Sequence, residues 1–217
     1  MQNSSDSNNE QNTSAKYAES VYTEWTQKEQ GGLRKLQESY IPLYERTQRF
    51  RKYMPDIIPG FFQTPAYANS LLATITEFRG IPNEVEPAAE ARVRRSRIIH
   101  QKDRTFEIVL EESVLRYRMG NNETMAEQFE HLLTMSSLPH VSLGVIPSSA
   151  PRSMWPVEGF SIYDDTLVQS ELLAAEINIE APAEIATYIK AFDRLQELAV
   201  HGDEARAVIT SAIEALD

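Results

Sequence analysis

The amino-acid sequence predicts an α+β fold, with N-terminal helices, a small and mostly antiparallel sheet, and C-terminal helices. Apolar side chains recur at spacings of three and four residues in the N-terminal half of the chain, which is typical of amphipathic helices. Short runs rich in Val, Ile, Phe and Tyr lie between residues 105 and 179 and indicate strands. Helical spacing returns after residue 182.

The N-terminal region is expected to hold a tail followed by two helices. Residues 1–15 are almost entirely Asn, Ser, Gln, Glu and Asp, so we expect a disordered tail that buries too little apolar surface to offset the entropy of ordering. A helix is predicted over 17–30, because four of its side chains share one face: Tyr17, Val21, Tyr22 and Trp25. After a Gly-Gly break, a second helical stretch is predicted over 33–53, with a kink at Pro42.

The remaining elements follow from apolar spacing, β-rich runs and turn residues. Helices are predicted over 66–78, 87–101, 112–118, 124–135, 183–200 and 203–216. Strands are predicted over 105–110, 141–146, 159–163, 167–173 and 176–179. The chain is therefore divided into the tail, an N-terminal helical segment over 16–53, and a single α+β ligand- or partner-binding domain over 54–217.

A turn and a helix start are predicted in the stretch Ile-Pro-Gly-Phe-Phe-Gln-Thr-Pro-Ala-Tyr-Ala, residues 58–68. Pro59-Gly60 is a turn signal. We expect Thr64 to cap a helix that begins at Pro65, because proline at the first helical position loses no hydrogen bond.

The same stretch offers candidate ligand-binding residues. Aromatic residues near a turn usually belong to the core, which is one interpretation of Phe62; the other is that Phe62 lines a small-molecule pocket together with Gln63 and Tyr67. Alternatively, Gln63 and Tyr67 lie four residues apart and would place an amide and a phenol beside apolar walls, as small-molecule pockets do. Trp155 lies in a predicted loop over 147–156, where it would serve as a lid or interface residue or pack back onto the sheet.

Two adjacent carboxylates, Glu111 and Glu112, follow the first strong strand. Neighbouring residues at a strand end point apart, so one of them is expected to face inward and to need a partner, for which Arg92, Arg95 and Arg116 are candidates. Such a pair would lock the basic helix to the sheet. Alternatively, Glu111, Glu112 and Arg116 would line a ligand cavity, or one Glu would act as a general acid or base.

Charge is unevenly distributed along the chain, whose net charge is −11. Residues 92–104 hold six Arg or Lys and one Asp, whereas residues 158–217 hold thirteen acidic and three basic residues. The basic helix would pack beside the acidic C-terminal half, or it would bind an anion or an acidic partner. An acidic chain is not expected to bind nucleic acid directly, because phosphate contacts need Lys and Arg.

Several kinds of chemistry lack support in the sequence. The chain has no cysteine, which excludes disulfides and thiol chemistry. Its histidines show no known zinc spacing, and no glycine-rich phosphate-binding motif occurs. We expect no metal, no cofactor and no membrane span, and the polar N-terminus lacks the pattern of a signal peptide, which favours a cytoplasmic protein.

The order of these motifs resembles the domain of unknown function that follows the helix-turn-helix in many actinobacterial regulators of the xenobiotic-response-element type. That family has a Pro-Gly-Leu-Leu-Gln-Thr-x-x-Tyr-Ala stretch, which matches residues 59–68 here. An Arg-rich helix, a strand ending in Glu-Glu-x-x-Leu-Arg, a Gln-Leu-x-x-Leu helix and a Val-x-Pro strand end follow in order. The resemblance covers residues 40–215, and the preceding residues are not expected to form a helix-turn-helix.

The resemblance implies a regulatory, antitoxin-like effector module without its own DNA-binding domain, which binds a small acidic protein or a small molecule. Its partner contact would be the basic helix, through Arg92, Arg94, Arg95 and Arg97. The alternative is a cofactor-independent enzyme of specialised metabolism, of cyclase or isomerase type, with Glu112 and Tyr67 as acid and base. A third alternative is a decoy that forms dimers through residues 17–53.

Overall fold

The structure is a computed structural model that describes residues 22–216. It forms an α+β fold around one mixed eight-stranded sheet with the strand order β1-β7-β6-β5-β2-β3-β4-β8. The strands are β1 (Tyr22–Glu24), β2 (Arg49–Met54), β3 (Thr105–Glu111), β4 (Val141–Ile146), β5 (Phe160–Tyr163), β6 (Leu167–Glu171), β7 (Ala175–Ile179) and β8 (Val200–His201). β2, β3 and β4 are parallel, and the other pairings are antiparallel. The predicted fold class is confirmed.

Helices cover both faces of the sheet. The α-helices are α1 (Trp25–Lys28), α2 (Leu33–Ser39), α3 (Ile41–Arg46), α4 (Pro65–Arg79), α5 (Val85–Ser96), α6 (Asn122–Met135), α7 (Pro182–Leu198) and α8 (Gly202–Glu214). Single 3-10 turns occupy Glu29–Gly31, Gly60–Phe62, Arg97–His100 and Glu112–Leu115. α7 packs on one face through Ile185, Phe192 and Leu195, and the larger core lies on the other face.

The predicted helix over 33–53 is wrong in its last part. The helical stretch is interrupted at Tyr40, Pro42 lies in the first turn of α3, and that helix ends at Arg46. Residues Arg49–Met54 then form β2, a central strand that pairs with both β3 and β5. β2 therefore crosses the boundary that was predicted between residues 53 and 54.

The described part of the first predicted helix, over 17–30, is also corrected. Tyr22–Glu24 pair with β7 as an edge strand, and a short helix begins only at Trp25. The Trp25 indole is buried, and its Nε1 donates to the backbone oxygen of Leu172 at 2.9 Å. This part of the segment therefore packs on its own chain, whereas residues 1–21, which include the predicted tail, lie outside the described residues.

The predicted turn and helix start in residues 58–68 are confirmed. Gly60–Phe62 form a single 3-10 turn, and α4 begins at Pro65. The Thr64 hydroxyl accepts a hydrogen bond from the Tyr67 backbone N–H at 3.2 Å, as an N-cap residue does. α4 ends at Arg79 and is capped by Gly80, which has a left-handed backbone (φ 62°) that glycine adopts without steric cost.

Candidate functional site

A row of polar side chains crosses four adjacent strands on the face that packs against α2–α5. Lys52 on β2 is paired with Ser161 on β5, Ser161 with Gln169 on β6, and Gln169 with Asn178 on β7. Beyond Lys52 the same row continues with Ile108 and Leu143. One half of this sheet face is therefore apolar core, and the other half is polar although it lies beneath helices.

Lys52 is a buried cation in the middle of this row. Its side chain is 8% exposed, and Nζ donates to Ser161 Oγ at 2.5 Å and to Tyr163 Oη at 3.4 Å. The ammonium also lies 5.3 Å from the centre of the Phe61 ring. Within the described residues no carboxylate lies within 4.0 Å of Nζ. The charge of Lys52 is thus met by hydroxyls and aromatic rings alone.

α5 supplies two arginines to the same region. Arg92 Nε donates to Gln37 Oε1 at 3.0 Å, and its Nη1 donates to Gln63 Oε1 at 3.0 Å. Both partners are neutral amides, so they hold the guanidinium in place without neutralising it. Charged groups that lose water need a counter-charge or accept a large penalty, which makes this arrangement costly in the absence of an anion.

Arg95, one turn further along α5, is held by aromatic rings. Its guanidinium carbon lies 4.9 Å from the centre of the Tyr40 ring and 5.1 Å from that of Tyr44. Nη1 donates to the backbone oxygen of Gln37 at 2.9 Å, whereas Nε is buried without a hydrogen-bond partner among the described residues. Cation–π contacts fix the orientation of the group and leave its N–H donors available.

Two adjacent cavities open beside these three cations, with volumes of ≈ 80 Å³ and ≈ 110 Å³. Both are lined by the same central set of side chains: Tyr44, Lys52, Ile75, Arg92, Arg95, Gln169 and Glu171. A single water needs about 10–15 Å³ of such space, so each cavity has room for a small organic molecule. We call the space between these side chains the cation cavity.

The charged groups of the cation cavity shift one another's pKa. Burial lowers the pKa of Lys52 and Arg95 adds to this effect, while Tyr44 and Glu171 oppose it. Burial and Arg95 also lower the pKa of Arg92 to about 10. Burial disfavours ionisation of the Tyr44 phenol, but Arg95 and Lys52 outweigh it and hold the pKa of Tyr44 below its ordinary value. An anion bound here would relieve this repulsion.

The acidic groups near the cation cavity are engaged elsewhere or exposed. Glu176 is buried and accepts hydrogen bonds from Lys28 and, at 2.5 Å, from Tyr40 Oη. Glu29 pairs with Arg79. Glu171 is exposed at the rim, and among the described residues no cation lies within ion-pair distance of it. Asp56 accepts from the backbone of Ile57, and burial raises its pKa.

The site residues predicted in residues 58–68, the distinctive stretch, lie in different parts of the structure. Gln63 lines the cation cavity, donates to the Ile58 backbone oxygen at 2.7 Å and accepts from Arg92. Phe62 is fully buried in the core. The Tyr67 hydroxyl accepts from the Ile58 backbone N–H at 3.3 Å, which fixes the turn. Gln63 therefore faces the candidate site, while Phe62 and Tyr67 support the loop that carries it.

One of the two adjacent carboxylates, Glu111, is buried and paired with an arginine as expected, but that arginine is Arg152 and not one of the candidates Arg92, Arg95 and Arg116. Glu111 lies on the opposite face of the sheet, where it accepts from Tyr53 Oη at 2.8 Å and from Nη1 of Arg152 at 2.8 Å. Arg152 lies in the irregular loop after β4, so no helix or strand periodicity in the sequence predicts this contact.

Glu112 and Arg116 form a surface pair beside that loop. Arg116 donates to Glu112 at 3.0 Å, and Glu112 accepts from the Ser148 backbone N–H at 2.8 Å. The Ser148 backbone N–H and Arg116 lower the pKa of Glu112. Trp155 is 71% exposed and borders an apolar groove against α7, with Met154 and Tyr188. These residues lie apart from the cation cavity.

The four predicted partner-binding arginines separate by helical face. Arg92 and Arg95 point toward the sheet, whereas Arg94 and Arg97 are exposed. Arg94 also forms an ion pair with Glu38 at 3.1 Å. In the part of the chain that the structure describes, no group of three or more His, Asp or Glu residues is positioned to hold a metal ion.

Sequence reasoning did not identify Lys52, Tyr44, Tyr163 or Gln169. Lys52 was assigned to a helix, so its position between Phe50 and Met54 on one face of a strand was not apparent. Gln169 and Tyr163 lie in strands that were predicted, and a polar residue at an inward position of a predicted strand is a usable signal. Tyr44 carries no signal of its own.

The chain belongs to the family described as Domain of unknown function (DUF5753), which matches residues 37–211. That range includes the seven side chains shared by the two cavities, whereas Trp25, Glu29, Leu33 and Leu36, which line only the smaller cavity, precede it. No curated protein matches the chain.

One solved structure that matches this chain is that of TrmBL2, an archaeal chromatin protein described as showing a novel mode of DNA binding. The sequence identity is 12%, the TM-score is 0.41, and the match covers 83% of this chain. This chain spans about half the length of that protein, 52%. Across residues 22–216, no helix has the length and apolar character needed to cross a membrane.

Proposed function

We propose that the chain is a regulatory ligand-binding module that binds a small organic anion in the cation cavity. The observation that carries this proposal is the set of three cations, Lys52, Arg92 and Arg95, which face one cavity and whose direct hydrogen-bond and ring partners are all neutral. The carboxylate of Glu171 stands only at the exposed rim, and buried charges are ordinarily paired. A ligand that brings its own negative charge provides the missing partner.

The polar surroundings favour a small carboxylate or phosphate over a large apolar ligand. Arg95 keeps unused N–H donors, and guanidinium groups bind planar or tetrahedral oxyanions through two parallel hydrogen bonds. Tyr44 and Gln169 add further donors at the wall, while Ile75 supplies apolar surface. A few converging polar groups with one apolar side are typical of sites that bind small metabolites.

Ligand binding can be tested by thermal unfolding and calorimetry with a panel of small anions, for which acetate, pyruvate, succinate and inorganic phosphate are suitable. Binding of at least one of them is expected to raise the unfolding temperature. Arg95→Met is expected to weaken that binding about thirtyfold or more, because truncating one partner of a desolvated charge pair costs at least about 2 kcal/mol.

Arg94→Met provides a matched control, since Arg94 is the preceding residue of the same helix and points to solvent. It should bind the same anion with nearly unchanged affinity. If no anion in the panel binds the wild-type chain, or if both variants lose affinity equally, the proposed site is wrong.

We propose further that the module binds a small acidic protein and that ligand binding changes this interaction, as is expected of the effector parts of actinobacterial helix-turn-helix regulators. α5 and the 3-10 turn that follows it support this link, because Arg92 and Arg95 face the cation cavity while Arg94 and Arg97 are exposed. A double Arg94→Glu and Arg97→Glu variant would repel an acidic partner. Native mass spectrometry of tagged wild-type and variant chains from the native host measures the effect, and equal recovery of the partner would exclude this surface.

A further inference from the structure

Lys52 differs from the two arginines in one respect that matters for chemistry, because its amine can act as a nucleophile when it is neutral. A neutral amine forms an imine with a carbonyl carbon, and buried lysines beside other cations are suited to this reaction. Arg92 and Arg95 are available for binding, but a guanidinium stays protonated near neutral pH.

The environment of Lys52 favours the neutral amine. The ammonium is buried, has no carboxylate partner among the described residues, and shares its cavity with Arg92 and Arg95. Its closest polar partner is the Ser161 hydroxyl at 2.5 Å, which accepts from an ammonium and can equally donate to a neutral amine. Burial lowers the pKa of Lys52 and outweighs the opposing charges of Tyr44, Glu171 and Glu176, in agreement with this geometry.

Hydroxyl groups lie beside the Lys52 amine. Tyr163 Oη lies 3.4 Å from Lys52 Nζ, and Tyr163 in turn donates to Gln169 Oε1 at 3.2 Å. Tyr44 completes the group, with its ring centre 6.0 Å from that of Tyr163. Hydroxyl groups within hydrogen-bond distance of an amine can deliver the proton that a departing hydroxide needs.

We propose that the cation cavity binds a 2-oxo acid and that Lys52 joins it through an imine. This inference rests on the proposed anion site, in which Arg92 and Arg95 would hold the carboxylate and leave the neighbouring carbonyl facing Lys52. Both cavities are lined by Lys52 and by the two arginines, so one small ligand can touch all three.

The reaction balances without any further reagent. The neutral Lys52 amine attacks the carbonyl carbon, and one amine proton passes to the carbonyl oxygen to give a carbinolamine. The hydroxyl then leaves as water with a proton from Tyr163 or Ser161 while the nitrogen forms a double bond to carbon, and the remaining amine proton returns to that hydroxyl donor. Amine and ketone thus give an imine and one molecule of water. The ligand carbon is neither oxidised nor reduced, and the bond reverses when water returns.

Chemical trapping tests the inference directly. The full chain is incubated with pyruvate and sodium cyanoborohydride, which reduces an imine to a stable secondary amine. Peptide mass spectrometry is then expected to find Lys52 heavier by the mass of pyruvate less one oxygen atom. The exposed Lys102 and Lys190 serve as internal controls, since non-specific modification would label them at least as strongly.

Two variants separate imine formation from binding. Lys52→Arg keeps a positive charge but cannot form the imine, so it is expected to give no adduct at position 52 and to retain measurable anion binding. Lys102→Arg should be labelled at Lys52 like the wild-type chain. The comparison ligand is lactate, which has the carboxylate but no carbonyl group.

Each result decides a different point. If pyruvate and lactate bind equally and no Lys52 adduct forms, the imine is overturned while the anion site stands. If Lys102 and Lys190 are labelled as strongly as Lys52, the imine is also overturned. If neither pyruvate nor any other small anion binds, the proposed function is wrong, and so is this inference, which depends on it.

Discussion

Lys52 Nζ and Ser161 Oγ lie 2.5 Å apart at directly paired positions of β2 and β5. The buried ammonium therefore has a hydroxyl opposite it on the neighbouring strand, and not a carboxylate. Because a hydroxyl is both donor and acceptor, this pair accommodates the charged and the neutral amine equally. The relationship links the packing of the central strand to the chemistry proposed for the cation cavity.

Replacing Lys52 with Met is expected to stabilise the ligand-free chain near neutral pH. The folded chain has a lowered pKa at Lys52, while the unfolded chain keeps the ordinary value of 10.5. The unfolded state thus binds more protons between these two values, so wild-type stability rises as the pH rises through that window. Below that window, each unit by which the pKa of Lys52 is lowered reduces the free energy of unfolding by about 1.4 kcal/mol.

The advantage of the Met variant should therefore be largest near pH 7 and shrink toward about pH 10. Urea unfolding at both pH values measures it, and the exposed Lys102→Met variant is the control that should show no such trend. A difference between Lys52→Met and wild type that does not change with pH would mean that the ammonium is not destabilised by burial.

Glu171 is expected to oppose anion binding, because its exposed carboxylate stands at the rim of the cation cavity and its charge acts on Lys52 and Arg92. Glu171→Gln should tighten binding of pyruvate or phosphate severalfold, in line with about 0.5–1 kcal/mol for an exposed charge. Calorimetry at low and high salt measures the change, which should shrink as salt screens it. Glu184→Gln, on the far side of the sheet, should leave affinity unaltered, and a weaker-binding Glu171→Gln variant would show that Glu171 contacts the ligand instead.

The central strand β2 explains why the sequence predicts the fold class but misses the site. A half-buried strand alternates apolar and polar residues, whereas β2 is covered on both faces and carries buried charge on both. Lys52 points to the cation cavity, and Arg51 points to the other face, where it donates to the Asp164 backbone oxygen at 2.7 Å. The run Arg-Phe-Arg-Lys-Tyr therefore has no strand period, and the preceding helical spacing is wrongly extended into it.

The distinctive stretch is a contrasting case, since its local chemistry decides its structure. Pro59-Gly60, Thr64 and Pro65 act on their own backbone, so the turn, cap and helix start are predictable from the sequence. The pairing of Glu111 with Arg152 is not, because it depends on how a long loop returns to the sheet. Tertiary contacts between distant residues leave no mark in local spacing, and the site consists of such contacts.

Replacing Gln128, a polar residue of the core, is expected to lower the free energy of unfolding strongly. It is fully buried on α6, where Nε2 donates to the Phe62 backbone oxygen at 2.5 Å and Oε1 accepts from the Thr64 backbone N–H at 2.8 Å. Gln128→Leu would leave both backbone groups without a partner, and each such loss costs about 1–3 kcal/mol. Chemical denaturation should show a loss of at least about 2 kcal/mol, whereas the exposed Glu130→Leu on the same helix should change stability little.

Arg152 holds the loop over 147–159 against the sheet. Arg152 donates to both carboxylate oxygens of Glu111, and its Nη1 bond is 2.8 Å long. Glu111 is buried and Arg152 partly exposed, with 7% and 28% of their side chains accessible. Removing the arginine leaves the carboxylate with the Tyr53 hydroxyl alone, and the cost of that desolvated charge exceeds the cost of losing a surface pair.

Arg152→Met is therefore expected to destabilise the chain by about 1–3 kcal/mol, less than a fully buried pair because Arg152 is partly solvated. The loop should also exchange its amide hydrogens faster, and hydrogen exchange over residues 147–159 measures this directly. Adding Glu111→Gln to the variant removes the unpaired charge, so the double variant should recover part of the lost stability. If the double variant is less stable than Arg152→Met, Glu111 has a further stabilising partner, and the loop is not held mainly by this ion pair.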